Sequence, residues 1–225
     1  LGLRAGFGAF EAEREASFFS TGGLAAVHSS GRDRDSIWNG LPRKETYGTS
    51  GDRILLWFDL VSESSDIPMG GTVKTAINPI FKVKAVGAFK QKPGCPDYSS
   101  TNITDEEIER ICKNECYNPS DERKIITKIE VIKVTPQAFK GEQVDGLISD
   151  PWKVFNCEPN QQGCEIEFSD EEFNSASRDA SYYVRAIQEA SPAVNAGSLR
   201  CTYDDEGNCL EVNICYGDKR TSKDD

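Results

Sequence analysis

Histidine and methionine are almost missing from this chain, one of each among 225 residues. Metal-dependent hydrolases hold their ion through several His and carboxylate ligands, so His28 alone does not build such a site. No apolar run approaches the ~20 residues that a membrane helix needs. No signal peptide is visible near Leu1, so export would place its address outside these residues. Positive charge is also short: 26 Lys and Arg face 37 Asp and Glu, a formal net charge of −11. That balance argues against nucleic-acid binding, which needs clustered cations. The sequence has no pair of C-x-x-C knuckles, which disfavours a zinc site. Nothing resembles G-x-S-x-G, and Ser29 and Ser30 stand too close to His28 in sequence to form a triad with it.

Cysteine, by contrast, is plentiful. There are eight in a chain of ordinary globular composition, 37% hydrophobic and 28% charged. A core of this length does not need covalent staples to fold. An even set therefore points to an oxidising compartment and to a secreted or periplasmic protein. Cys112 and Cys116 lie four apart on one predicted helix, a geometry that does not favour a bond between them. Cys95, in the turn Pro93-Gly94-Cys95-Pro96, is the natural partner for one of the two. Cys157 and Cys164 bracket a loop small enough to close on itself. Cys201 and Cys209 flank a predicted hairpin turn, and Cys215 is left for the other helix cysteine or for a partner outside the chain. Within that turn Asp204, Asp205 and Asn208 could ligate calcium. The spacing does not match the EF-hand loop, and the turn reads as solvated.

Periodicity divides the chain. Residues 1–50 read as a small α/β remnant: a helix over Phe10–Phe19, a buried strand at Leu24–Val27, and a short helix over Asp33–Leu41. That helix places Ile37, Trp38 and Leu41 on one face, and Gly40 and Pro42 weaken it. From residue 51 to 225 the period turns to two. Ile54–Asp59, Phe81–Ala85, Ile125–Val134, Tyr182–Ile187, Leu199–Tyr203 and Leu210–Ile214 read as strands. Their number and turn punctuation predict a mainly β, immunoglobulin-like sandwich. Two capping boxes, Thr104–Glu107 and Ser169–Glu172, predict short helices within it.

Few residues suggest chemistry. Arg43 to Gly51 packs Arg, Tyr and hydroxyls into a Gly-bounded turn that could offer donors to an anion. Arg43 and Tyr47 are the candidate anion donors, with Thr49 and Ser50 beside them, and His28 sits at a strand end. A separate possibility is a stand-alone extracytoplasmic binding or structural protein that meets a glycan or protein partner through Trp57, Trp152 and Tyr182.

Eight strings carry a likeness to a known family: GGLAAV, WNGLPRKETYGTSGDRI, PGCPDY, CKNECYNPSDERKIITKIEVIKV, LISDPWKVFNC, GCEIEF, SYYVRAIQEASPAVNAG and CYGDKRT. Together they resemble the closing segment of a family of uncharacterised, mostly bacterial proteins. These are predicted metal-dependent hydrolases related to the polymerase-and-histidinol-phosphatase superfamily. The resemblance implies that this is the C-terminal part of a larger protein, with the divalent metal and its ligands in an upstream α/β barrel. No cofactor is then expected in this chain. Its partner is the upstream hydrolase domain, on the same polypeptide or another subunit, and a homo-oligomer is possible. Two departures stand out: His28 occupies a position where the family has tryptophan, and Pro42 interrupts a helix that is continuous there.

Overall fold

The computed structural model describes residues 23–101, 103–112, 116–190, 201–203 and 209–212. Two compact units divide the chain. One is Leu24–Glu189, and the other combines Leu1–Gly23 with Ala190–Asp225. The first spans position 50 without a break. The predicted helix over Phe10–Phe19 lies outside the described residues.

The larger unit opens with β1 (Leu24–Val27), α1 (Arg34–Gly40) and β2 (Thr46–Thr49), and β2 returns antiparallel along β1. Asp33 starts the helix where the sequence suggested, its carboxylate accepting from the Ser36 amide at 2.9 Å. The helix stops at Gly40, ahead of Pro42, which cannot continue it. Gly40 is there for contact: a Cβ at that position would lie 2.5 Å from the His28 carbonyl oxygen and 2.6 Å from Val27 Cγ2. The helix end therefore rests directly on the end of β1. Arg43 to Gly51 is not simply a Gly-bounded turn, because Thr46–Thr49 forms β2.

A sandwich of two antiparallel sheets follows. In one sheet β10 (Cys164–Ser169), β5 (Ile80–Val86), β3 (Leu55–Leu60) and β4 (Ile67–Pro68) lie side by side in that order. In the other, β8 (Ile126–Val134) is flanked by β9 (Ile148–Asn156) and β11 (Ser181–Gln188). Alternation builds the core as the period of two demands. Phe81, Val83 and Ala85 of β5 are buried, and they cluster with Leu56, Cys164 and Phe168 of their own sheet and with Ile126, Ile129 and Val131 of β8. Between β9 and β10 the ring centroids of Phe155 and Phe168 are 5.6 Å apart, and between β5 and β11 those of Phe81 and Tyr182 are 4.6 Å apart.

Between β5 and β8 the chain leaves the sandwich as an arm. This holds β6 (Phe89–Gln91), a 3-10 turn at Asp97–Ser100, α2 (Asp105–Cys112) and β7 (Pro119–Arg123), which pairs antiparallel with β6. The first capping box forms as expected: the Thr104 amide donates to Glu107 Oε2 at 3.1 Å and the Glu107 amide to Thr104 Oγ1 at 3.3 Å. The second box does not. The short α3 (Phe173–Ala176) starts later and has no side-chain cap, and the Ser169 hydroxyl donates to Glu171 instead of to the helix. In the smaller unit the described residues form a hairpin, β12 (Cys201–Tyr203) against β13 (Cys209–Val212).

Candidate functional site

His28 follows β1 and is held from two sides. Its amide donates to the Glu45 carbonyl at 2.8 Å, and Nε2 lies 2.8 Å from the Leu56 carbonyl oxygen. A carbonyl can only accept, so the proton sits on Nε2. The ring is 5.6 Å from Tyr47 and 5.8 Å from Trp57, centroid to centroid. Half-buried, His28 thus ties the β1–β2 pair to β3. The Tyr47 hydroxyl donates to the Ile54 carbonyl at 3.1 Å, its ring packs against the sandwich core, and burial pushes its ionisation up. That hydroxyl is already used by the fold.

The remaining candidates stand apart from this cluster. Arg43 makes a two-pronged pair with Glu45, at 2.8 and 3.2 Å. Its hydrogen bonds hold the Glu45 carboxyl below the usual range, and the guanidinium is itself pushed up by Glu45. Thr49 Oγ1 accepts from the Leu24 amide at 3.2 Å and closes the end of the β1–β2 ladder. Ser50 is exposed in the bend that follows. Lys44 takes a left-handed φ of 59°, and the tight Gly70 turn packs against the same backbone. His28, Tyr47 and Trp57 are therefore brought together; Arg43, Thr49 and Ser50 are not joined to them by any described contact.

Beyond Tyr47 a groove of about 560 Å³ opens along the sandwich. Phe58, Leu60, Phe81, Tyr182 and Val184 line it, together with the loop Met69–Val73. Asp59 is the single ionisable carboxylate or cation among its lining residues. Burial holds the Asp59 carboxyl above its ordinary value, and nearby Asp66 adds to this against the smaller opposing pull of His28 and Lys82.

A second polar cluster was not legible in the sequence. Asp170 is fully buried; its Oδ2 lies 2.5 Å from Lys133 Nζ and accepts from the Tyr182 hydroxyl at 2.5 Å. The Glu172 amide adds a 3.2 Å bond to Oδ1. Burial alone would raise this carboxyl, but Lys133 and Tyr182 outweigh it and the net shift is downward. The Tyr182 phenol is pushed up, first by burial and then by the carboxylate it donates to. This triad pins the loop after β10 to β8 and β11, across the two sheets. One signal was available: Lys133 shares the inward phase of Ile129 and Val131 along β8.

The aromatic residues considered for partner binding are mostly inside. Trp152 and Tyr182 pack against the core, their ring centroids 5.9 Å apart, while Trp57 is half-buried beside His28. Two expected cysteine pairings are present. Cys95 bonds Cys116, with Cα atoms 4.8 Å apart, and Cys157 bonds Cys164, with Cα atoms 5.8 Å apart. One helix does not carry both Cys112 and Cys116, since α2 ends at Cys112. The side chains of Cys112, Cys201 and Cys209, and all of Cys215, Asp204, Asp205 and Asn208, lie outside what is described. Among the described residues no three His, Cys, Asp or Glu side chains converge as a metal would require, and no helix is long and apolar enough to cross a membrane.

Residues 5–87 match a family described as a protein of unknown function (DUF3604). The match takes in β1, α1, β2, β3, β4 and β5, and so runs from the N-terminal strand-and-helix piece into the first sheet of the sandwich. No curated protein and no solved structure matches the chain.

Proposed function

We propose that this chain is the accessory β-sandwich module of a larger metal-dependent hydrolase related to the polymerase-and-histidinol-phosphatase superfamily, and is not catalytic alone. One observation carries the reading. The apolar face of α1 is turned outward, with Ile37 37%, Trp38 66% and Leu41 45% exposed. A helix that presents tryptophan, isoleucine and leucine to solvent is shaped to be covered by another body. Here that body is the upstream hydrolase domain, which brings the divalent metal. Arg43 is the candidate residue whose cation stands nearest to solvent, and in this reading it faces the neighbouring active site. The two disulfides fit an oxidising, secreted or periplasmic setting.

The test is the protein as its source makes it. Its intact mass should exceed the 24.8 kDa of this chain, or the chain should co-purify with a hydrolase subunit. The metal-stripped chain, given zinc, manganese or magnesium, should turn over no phosphomonoester, phosphodiester or carboxylic ester. A native species of 24.8 kDa purified without a partner would refute the module reading. Metal-dependent turnover that is lost in His28→Ala would make the chain an enzyme in its own right.

A further inference from the structure

The two sheets of the sandwich are unequal, four strands against three. Ring contacts set one against the other: Phe155 of β9 meets Phe168 of β10, and Tyr182 of β11 meets Phe81 of β5. β11 ends its sheet on that side, so the inner face of the larger sheet runs on past it to β4 with no strand opposite among the described residues. On that face Phe58 and Leu60 share the inward phase of the core residue Leu56, and Ile67 of β4 pairs with Leu60. All three are only half-buried. The groove of about 560 Å³ lies against them, and the loop Met69–Val73 and Tyr47 of β2 complete its walls. Ala180–Val184 of β11 and its approach run along it, a length of ~13 Å. The sheets of a sandwich stand ~10 Å apart and side chains enter that gap from both faces, so the groove is longer than it is wide.

The groove offers an incoming molecule little that is polar. Its lining residues include no Lys, Arg or His. Asp59, the one carboxylate among them, alternates with Phe58 and Leu60, which turns its side chain to the opposite face of β3. Alternation turns the Tyr183 side chain away from the face of Tyr182 and Val184 in the same manner. The fold already uses the phenols of Tyr47 and Tyr182, on the Ile54 carbonyl and on Asp170. The Thr75 hydroxyl is taken by the main chain of Ile77. Among the described residues, that leaves the hydroxyls of Thr46, Thr72 and Ser181 to meet a ligand. A charged molecule would give up its water here and gain no counter-charge, and a sugar would lose most of its hydrogen bonds. A neutral hydrocarbon chain forfeits neither and is driven in by burial.

We propose that this groove binds a neutral molecule with a single aliphatic chain, a long-chain alcohol or an ester of one. The chain lies along Phe58, Leu60 and Val184, and its hydroxyl or ester end meets the hydroxyls of Thr46, Thr72 and Ser181. The site is independent of whether the chain belongs to a hydrolase.

The experiment titrates the whole chain with 1-decanol and with decyl acetate by isothermal calorimetry at neutral pH. Each should bind saturably, one molecule per chain. Shortening the alcohol to 1-octanol removes two methylenes and should weaken binding roughly fifteenfold. Decanoate has the same chain with an anionic end and should bind at least tenfold more weakly than decanol. Val73→Trp, which fills the groove from a surface-exposed loop position, should weaken decanol at least tenfold in a protein whose circular dichroism is unchanged. Val144→Trp, at an exposed position outside the groove, should bind as the native chain does. In methyl-labelled protein, decanol should shift the resonances of Leu60, Val73 and Val184. No saturable binding, decanoate binding as well as decanol, indifference to Val73→Trp, or shifts confined to other methyls would each overturn the proposal. Co-sedimentation of the chain with phosphatidylcholine vesicles would do so too, because the groove would then take its chain from a bilayer and not from a free molecule.

Discussion

Asp170 is the residue on which the fold concentrates its electrostatics. A carboxylate with no solvent exposure survives only when its partners replace water, and here Lys133, Tyr182 and a backbone amide do so. The net effect is a folded-state pKa below the ordinary carboxylate value. The unfolded chain therefore binds this proton more tightly. The stabilisation is complete above the unfolded pKa, ~3.9, and is lost as pH falls through the lower folded value. Asp170→Asn should cost roughly 3–5 kcal/mol at neutral pH, because Lys133 keeps its charge in a largely enclosed position. It should also flatten the acid limb of the stability curve relative to the native chain. Urea unfolding of both proteins from pH 7 down to pH 2.5 would check this, and parallel curves below pH 4 would contradict it.

At the scale of the element, α1 and β1 meet through a glycine. Helix propensity favours Gly40→Ala by up to ~1 kcal/mol. The methyl would nevertheless stand 2.5 Å from the His28 carbonyl oxygen, a backbone atom that cannot swing away. Overpacking of this kind costs about 1–3 kcal/mol, so the substitution should lower the melting temperature despite the better helix former. A higher melting temperature would mean that the helix does not rest on β1 in this way.

The same contrast between local and non-local causes explains which elements could be read from the sequence. β3, β5, β8 and β11 announced themselves because alternation along one strand is a local pattern. β9 did not, since Pro151 interrupts it; an edge strand tolerates a proline that a central one would not. The capping box at Thr104 was legible and the one at Ser169 misled, because there the Ser169 hydroxyl turns to Glu171 and the helix starts only at Phe173, while Asp170 is held by Lys133 and Tyr182 from strands distant in sequence. In the candidate site, His28 beside a strand end was visible. Its bond to the Leu56 carbonyl and the use of the Tyr47 hydroxyl by Ile54 depend on strand placement that no spacing encodes.

For the whole molecule the disulfides divide the labour between sandwich and arm. Cys157–Cys164 closes the connection from β9 to β10, and so ties one sheet to the other at the rim of the core; Cys164 is itself a core residue. Cys95–Cys116 acts within the arm, where it staples the loop after β6 to the segment before β7. With its cysteines 21 positions apart in sequence, this bond contributes about 3 kcal/mol to the arm in the chain-entropy model. Its sulfurs are not enclosed by the sandwich core, so a reductant should reach them first. Denaturation without reduction should leave Cys95, Cys116, Cys157 and Cys164 unalkylated. Graded phosphine treatment of the native protein, followed by alkylation and peptide mapping, should label Cys95 and Cys116 ahead of Cys157 and Cys164. The sandwich should stay folded at that first step, with near-ultraviolet dichroism from its Trp152–Tyr182–Phe168 cluster retained. Labelling of Cys157 and Cys164 first, or loss of that signal when only the arm bond is open, would show that the arm is a structural part of the sandwich and not an appendage to it.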